Sequence, residues 1–210
     1  MKRTGSPRRV APIDIYYHFY SAEYPASLKA LQDVYAWVLK QKTARLFTSE
    51  YLERVQGYLD AEIRLAGPGR YEIHNYGACT TIRFEDASLG VDLDRSENVL
   101  GWVSEPQGLF VSLAPDRDRA VVQVGEGRSA APFLQKAAGW VDRMETGEGR
   151  LELSYRGFGK GSITIAGLAP NQECTISGSA LEKETLQEEA DSNGVLRLSS
   201  LVTGTVRVAW

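Results

Sequence analysis

Histidine and cysteine are scarce in this chain, with two of each among 210 residues. Cys79 and Cys174 are too few for a disulfide framework and too far apart in sequence for a metal knuckle. The sequence leaves open whether they pair or lie as two separate buried thiols, and with that the redox compartment. The histidines are His18 and His74, so no His-x-x-x-His occurs. A nucleophile elbow of the form Gly-x-Ser-x-Gly is missing, and no Cys-His or Ser-His-Asp order stands out. No apolar run approaches the roughly 20 residues that cross a bilayer. The N-terminus has basic residues but no apolar stretch behind them, which does not read as a secretory signal. A net charge of -3 gives no ground to expect nucleic acid or an anionic membrane as partner.

What remains is a chain of ordinary globular composition, 43% hydrophobic and 24% charged, long enough for one large domain or two small ones. Residues 1–11 carry Lys2, Arg3, Arg8 and Arg9 and read as a basic, flexible, solvated terminus. Ile13–Tyr20 then alternates Ile13, Ile15 and Tyr17 with Asp14, Tyr16 and His18. Its β-branched and aromatic content predicts a strand that starts after Pro12. Leu28, Leu31, Val34, Tyr35, Val38 and Leu39 recur at helical spacing and predict a helix over Pro25–Gln41, with Pro25 in its first turn. Tyr51, Leu52, Val55, Tyr58 and Leu59 predict a second helix over Ser49–Leu59, capped by Thr48 or Ser49. Ala44–Phe47 between them has the character of a short strand, which would make two βα units.

After Gly67-Pro68-Gly69 the period becomes two. Tyr71–Asn75, Thr80–Glu85, Val99–Ser104, Leu109–Leu113 and Ala120–Val124 read as strands. So do Leu151–Tyr155, Ser162–Ala166, Cys174–Ser177, Val195–Ser199 and Gly204–Val208. Phe133–Val141 fits either a helix or a strand. Asp191-Ser192-Asn193-Gly194 is a hairpin signal, and Gly157-x-Gly159-x-Gly161, lying between strands, suits a hairpin turn rather than a phosphate cradle. The expected class is α+β: a short βα segment over 12–66 followed by an antiparallel β-sandwich over 67–210.

Several stretches resemble a known family. Pro-Ile-Asp-Ile-Tyr-Tyr-His-Phe-Tyr-Ser (Pro12–Ser21), Ala-Ser-Leu-Lys-Ala-Leu (Ala26–Leu31) and Thr-Ser-Glu-Tyr (Thr48–Tyr51) are similar to the C-terminal part of exopolysaccharide deacetylases. The nearest resemblance is to the Pel-type bifunctional hydrolase/deacetylase. Tyr71–Gly77, Thr80–Phe84 and Asp92–Ser96 resemble the β region that follows that catalytic domain, so the likeness spans Pro12 to Leu113. It implies a remnant of a deacetylase barrel acting on an amino-sugar polymer in the periplasm or outside the cell, within carbohydrate metabolism of the biofilm type. The family's divalent metal, such as zinc, is held by an Asp and two His that lie upstream of the matched region. The resemblance therefore implies no cofactor within this chain, a missing catalytic region as partner, and no activity alone.

His18 matches the family's late proton-donating histidine, a possible general acid once an upstream partner supplies the metal. Asp14 shares its strand parity, but four residues along a strand span about 13 Å, too far for a direct pair. Tyr16 and Tyr20 are the candidate substrate contacts, because amphipathic rings stack on sugars. Packing of the head against the sheet is the competing use for them. Asp92, Asp94 and Glu97 lack the pattern of an EF-hand and read as a solvated loop. The rival function is a carbohydrate-binding or structural β-sandwich module that packs against a catalytic partner.

Overall fold

A computed structural model describes residues 12–41, 43–127 and 129–210. The basic terminus expected at residues 1–11 lies outside the described residues. Contacts divide the chain between Arg45 and Leu46.

In the N-terminal unit, residues 12–18 are extended but unpaired. A 3-10 turn follows at Phe19–Ala22, and then helix α1 over Pro25–Leu39. The strand expected at Ile13–Tyr20 does not form. Extended backbone becomes a strand only when its N–H and C=O groups meet a neighbouring ladder, and neither 12–18 nor 43–47 has one among the described residues. Among the described residues no strand precedes α1 or lies between the two helices, so the expected βα pairing does not form there. The alternation was still informative, since Ile13 and Ile15 are half-buried while Pro12, Asp14 and Tyr16 are exposed. Helix α1 starts where Pro25 allows and runs for 15 residues, yet none of them is buried.

The larger unit opens with helix α2, Thr48–Asp60, which ends at Ala61 and leads directly into strand β1, Glu62–Gly67. The β region therefore begins before the turn cluster at Gly67–Gly69. That cluster closes a hairpin between β1 and β2, Arg70–His74. The helix cap also differs from expectation. Phe47 is the N-cap, and the Glu50 side chain reaches back to accept the Phe47 N–H at 2.9 Å.

The strands form two sandwiches with separate cores. In the first, β1, β2, β7 (Arg119–Gly125) and β4 (Gly90–Val91) make a four-stranded sheet in the order β1-β2-β7-β4. It faces a three-stranded sheet β3-β6-β5 built from Thr81–Phe84, Gly108–Leu113 and Val99–Glu105. Ile73, Val91, Ala120, Val122 and Val124 of one sheet meet Leu109, Val111 and Leu113 of the other. All pairs are antiparallel, so alternate residues fill the core and the rest face outward.

In the second sandwich, a five-stranded sheet has the order β13-β12-β15-β10-β9. Its strands are Thr185–Glu189, Glu173–Ser177, Gly204–Ala209, Arg150–Arg156 and Trp140–Gly147. It faces a three-stranded sheet β14-β11-β8, formed by Leu196–Leu201, Gly161–Ala166 and Phe133–Ala137. Leu151, Leu153 and Tyr155 of β10 interleave with Ile163 and Ile165 of β11 and Leu196 and Leu198 of β14. The ambiguous Phe133–Val141 stretch is thus strand β8 and the start of β9. Two turn readings need correction. Gly157–Gly161 and Asp191–Gly194 close no hairpin, because each carries the chain from the five-stranded sheet to the three-stranded one. The Asp191 turn is locally tight, its carboxylate accepting the N–H groups of Asn193 and Val195. The class is α+β, mostly β: two N-terminal helices followed by antiparallel strands in several sheets.

Candidate functional site

The N-terminal unit gathers the three residues singled out in sequence. His18 caps the 3-10 turn, its carbonyl accepting the Ser21 N–H at 2.9 Å. Its ring lies parallel to Tyr20, with centroids 4.9 Å apart, and meets Tyr16 edge-on at 5.3 Å. Backbone turning, rather than strand geometry, brings these rings together. All three are exposed, Tyr16 at 80% and Tyr20 at 48%. Among the described residues no carboxylate pairs with His18, and its ring neighbours are Tyr16 and Tyr20. Tyr17 packs edge-on against Tyr35 of α1 at 6.3 Å, and its neighbouring hydroxyl raises the Tyr35 phenol above its ordinary range.

Metal chemistry finds no seat in the residues described. No three of His, Cys, Asp and Glu converge among them. His18 stacks on tyrosines, while His74 ends β2 with Nε2 3.5 Å from Glu72. A divalent ion of the kind the resemblance implies does not fit these donors. Asp92 Oδ1 is buried without a hydrogen-bond partner among the described residues, whereas Asp94 accepts the Ala130 N–H and Glu97 pairs with Arg119. Glu72 belongs to the same charged ladder. Its bond from Arg119 at 3.0 Å, and secondarily His74, hold its carboxyl below the usual range. Cys79 and Cys174 are free thiols, both pushed up by burial.

A second cluster, unforeseen in sequence, joins α2 to the second sandwich. Glu50 accepts a 2.7 Å hydrogen bond from Arg156 of β10, and the Arg156 guanidinium lies 4.6 Å from the centre of the Trp140 ring. Phe158 meets Phe47 at 5.1 Å and Trp140 at 5.7 Å. The Phe47 N–H first, and Arg156 second, hold the Glu50 carboxyl below its ordinary range. At its other end α2 approaches the first sandwich so closely that a Cβ on Gly57 would stand 2.2 Å from the Tyr76 carbonyl oxygen. Arg54 also donates to the Ala78 carbonyl at 3.2 Å. The helix is a strap across both sandwiches. The available signal was the Phe47, Glu50, Trp140, Arg156 and Phe158 set, but its members lie up to 111 positions apart (158 minus 47).

The glycine run proves to be a packing device. A Cβ on Gly161 would fall 1.7 Å from the Tyr155 hydroxyl, and one on Gly157 2.6 Å from it. Gly157–Gly161 therefore wraps the end of a buried ring.

The outer face of the five-stranded sheet holds an open depression of about 630 Å³ lined by Glu145, Arg150, Glu152, Thr175, Ser177 and Arg207. Arg207 is already bound to Glu152 at 2.7 Å, and no aromatic ring lines it. It offers hydroxyls and self-neutralised charge, which suits neither ionic capture nor sugar stacking. No protein family, curated protein or solved structure matches this chain. The deacetylase resemblance thus rests on its motifs alone.

Proposed function

We propose that the chain is an accessory module: the double sandwich is a scaffold, and the N-terminal unit is a docking element for a partner protein. One observation carries this reading. Helix α1 has an apolar stripe of Leu28, Leu31, Val34, Tyr35 and Val38 and buries no residue. An amphipathic helix with that stripe is the form that enters a hydrophobic groove through i, i+3, i+4 and i+7 anchors. Its companions Tyr16, Phe19, Tyr20 and Tyr24 are exposed as well, and so concentrated an apolar surface marks an interaction site. The motif resemblance supplies the partner's identity, a metal-dependent deacetylase of amino-sugar polymers in the periplasm or outside the cell. In this reading the metal and the hydrolytic chemistry belong to that catalytic region.

Photocrosslinking in the producing cell tests the reading, with a benzophenone amino acid placed at Val34 or at Asp33. The expected outcome is one abundant adduct from Val34, on the stripe, and little from Asp33, on the opposite side. The adduct should contain a polysaccharide deacetylase sequence. Equal adducts from both positions, or none, would overturn it.

A second reading has its own observation, the exposed stack of Tyr16, His18 and Tyr20. Rings held edge-on and parallel in solvent suit a sugar chain. Affinity electrophoresis through partially acetylated glucosamine polymer should retard the chain, and Tyr16→Ala and Tyr20→Ala should abolish the retardation. Unretarded migration of the wild type rules this reading out.

A further inference from the structure

The first sandwich ends in a strand with an unused edge. β1 pairs with β2 on one side and with nothing on the other among the described residues. Cross-strand partners share a face, and Ile63 lies opposite Ile73, a fully buried core residue. Ile63 and Leu65 therefore point to the inner face of the four-stranded sheet. Even so, Ile63 is 55% and Leu65 68% exposed. Edge strands left flat and apolar are templates for pairing unless something blocks them. Neither proline nor an inward charge blocks β1, whose only irregularity is the bulge between Leu65 and Gly67. On its outer face Glu62 and Arg64 form an ion pair at the surface.

We infer that β1 is the contact between two copies of this chain, paired antiparallel about a two-fold axis at Ile63. A two-fold interface must be self-complementary, with residue i opposite j and j opposite i. Opposite residues on antiparallel strands also lie on one face, which leaves few registers. An axis at Glu62 opposes two glutamates, and an axis at Arg64 opposes two arginines. An axis at Leu65 runs into the bulge and places Glu62 opposite Pro68, which has no N–H to give. With the axis at Ile63, Glu62 faces the second copy's Arg64 and Arg64 its Glu62. Ile63 meets Ile63, and Leu65 meets Ala61. This register alone matches charge with opposite charge while joining the uncovered apolar positions. The inference is independent of α1, so the reading of the N-terminal unit can fail without affecting it.

Sedimentation velocity on the full chain over about 1–100 µM, the range suited to a small interface, tests it. The wild type should sediment as a concentration-dependent dimer. Glu62→Lys sets a lysine against the second copy's Arg64, and Arg64→Glu sets a glutamate against its Glu62. Each should weaken association at least about tenfold, since two cross-strand pairs become repulsive. An equimolar mixture of the two variants should recover a dimer, because each now carries the charge the other needs. Both positions are exposed, and unchanged near-ultraviolet circular dichroism verifies folding. Ile63→Lys, also at an exposed position, provides a second disrupting variant. A wild type monomeric throughout overturns the inference, as does a dimer indifferent to both reversals or a mixture that does not recover.

Discussion

Leu31 on α1 and Leu153 on β10 occupy equivalent places, each in the middle of an apolar stripe with the period of its element. Leu153 is buried in the second core, whereas Leu31 is only half-covered and its helix has no buried member. Patterning states which face an element must cover; it does not state what covers it. In the body, each stripe meets one from the opposite sheet, and the packed interior contributes about 1.5–3 kcal/mol per large side chain. In the N-terminal unit the same kind of stripe stays open, and a helix of this length is marginal in water without tertiary packing. The contrast is what supports the proposal that the body is a scaffold and the N-terminal unit the part that meets a partner.

The largest expected effect breaks this comparison directly. Leu153→Ala removes buried methyl groups from a two-sheet core and should destabilise the chain by about 2–5 kcal/mol in urea unfolding. Leu31→Ala, the same chemical change on α1, should leave that transition within about 0.5 kcal/mol, because little is uncovered by it. Comparable losses from both would mean that α1 is part of the cooperative core, which would remove the case for a docking element.

Next in size is the wrap around Tyr155. Gly161→Ala places a methyl 1.7 Å from the hydroxyl, and overpacking of this kind costs about 1–3 kcal/mol. Tyr155→Phe removes the atom in the way, so the double variant should recover part of the loss. Recovery is incomplete because the ring carbon bearing the hydroxyl would still lie 2.9 Å from the new methyl. A strictly additive double-mutant cycle would show that Gly161 is required for some other reason.

The helix strap gives a smaller and more diagnostic effect. Gly57 is the one buried residue of α2. In a free helix, replacing glycine by alanine gains about 1 kcal/mol. Here the new Cβ would meet the Tyr76 carbonyl at 2.2 Å and the Cys79 nitrogen at 3.0 Å, backbone atoms that cannot swing aside. Gly57→Ala should therefore destabilise, by about 1 kcal/mol after the propensity gain offsets part of the clash. A higher melting temperature for this variant would mean that α2 lies free of the first sandwich.

The balance between local and distant information explains which features could be read in advance. Period-two runs such as Leu151–Tyr155 and Ala120–Val124 gave strands within a residue of their ends, since alternation is a local consequence of burying one face. Residues 142–147 of β9 and Thr185–Glu189 went unread because they belong to edge strands with mostly exposed residues, so no stripe marks them. Ile13–Tyr20 failed for the opposite reason, as local propensity was present and the pairing strand was not. The ring cluster of Tyr16, His18 and Tyr20 was legible through proximity in sequence. The clamp of Glu50 with Arg156 was not, since only the fold closes the 106 positions between them.

That clamp also yields the smallest predicted effect, an acid dependence with a defined sign. The Glu50 carboxyl is held below its usual range first by the Phe47 N–H and then by Arg156. A group whose folded value is depressed contributes stability that is present above its unfolded value, about 4.3. The contribution is lost as pH falls through the lower folded value. Wild-type stability should therefore be level from pH 7 to about 5 and decline below about 4. Glu72 and Asp191, lowered first by their bonds from Arg119 and Arg197, add to the same slope. Glu50→Gln keeps an oxygen to accept the Phe47 N–H but carries no charge for Arg156. It should lower the melting temperature at pH 7 and narrow its gap to the wild type in acid, as the wild-type carboxyl takes up its proton on passing through the lowered folded value. If the gap is the same at pH 7 and in acid, the ionised clamp contributes nothing, and α2 is held across the sandwiches by Phe47, Phe158 and the close approach at Gly57 alone.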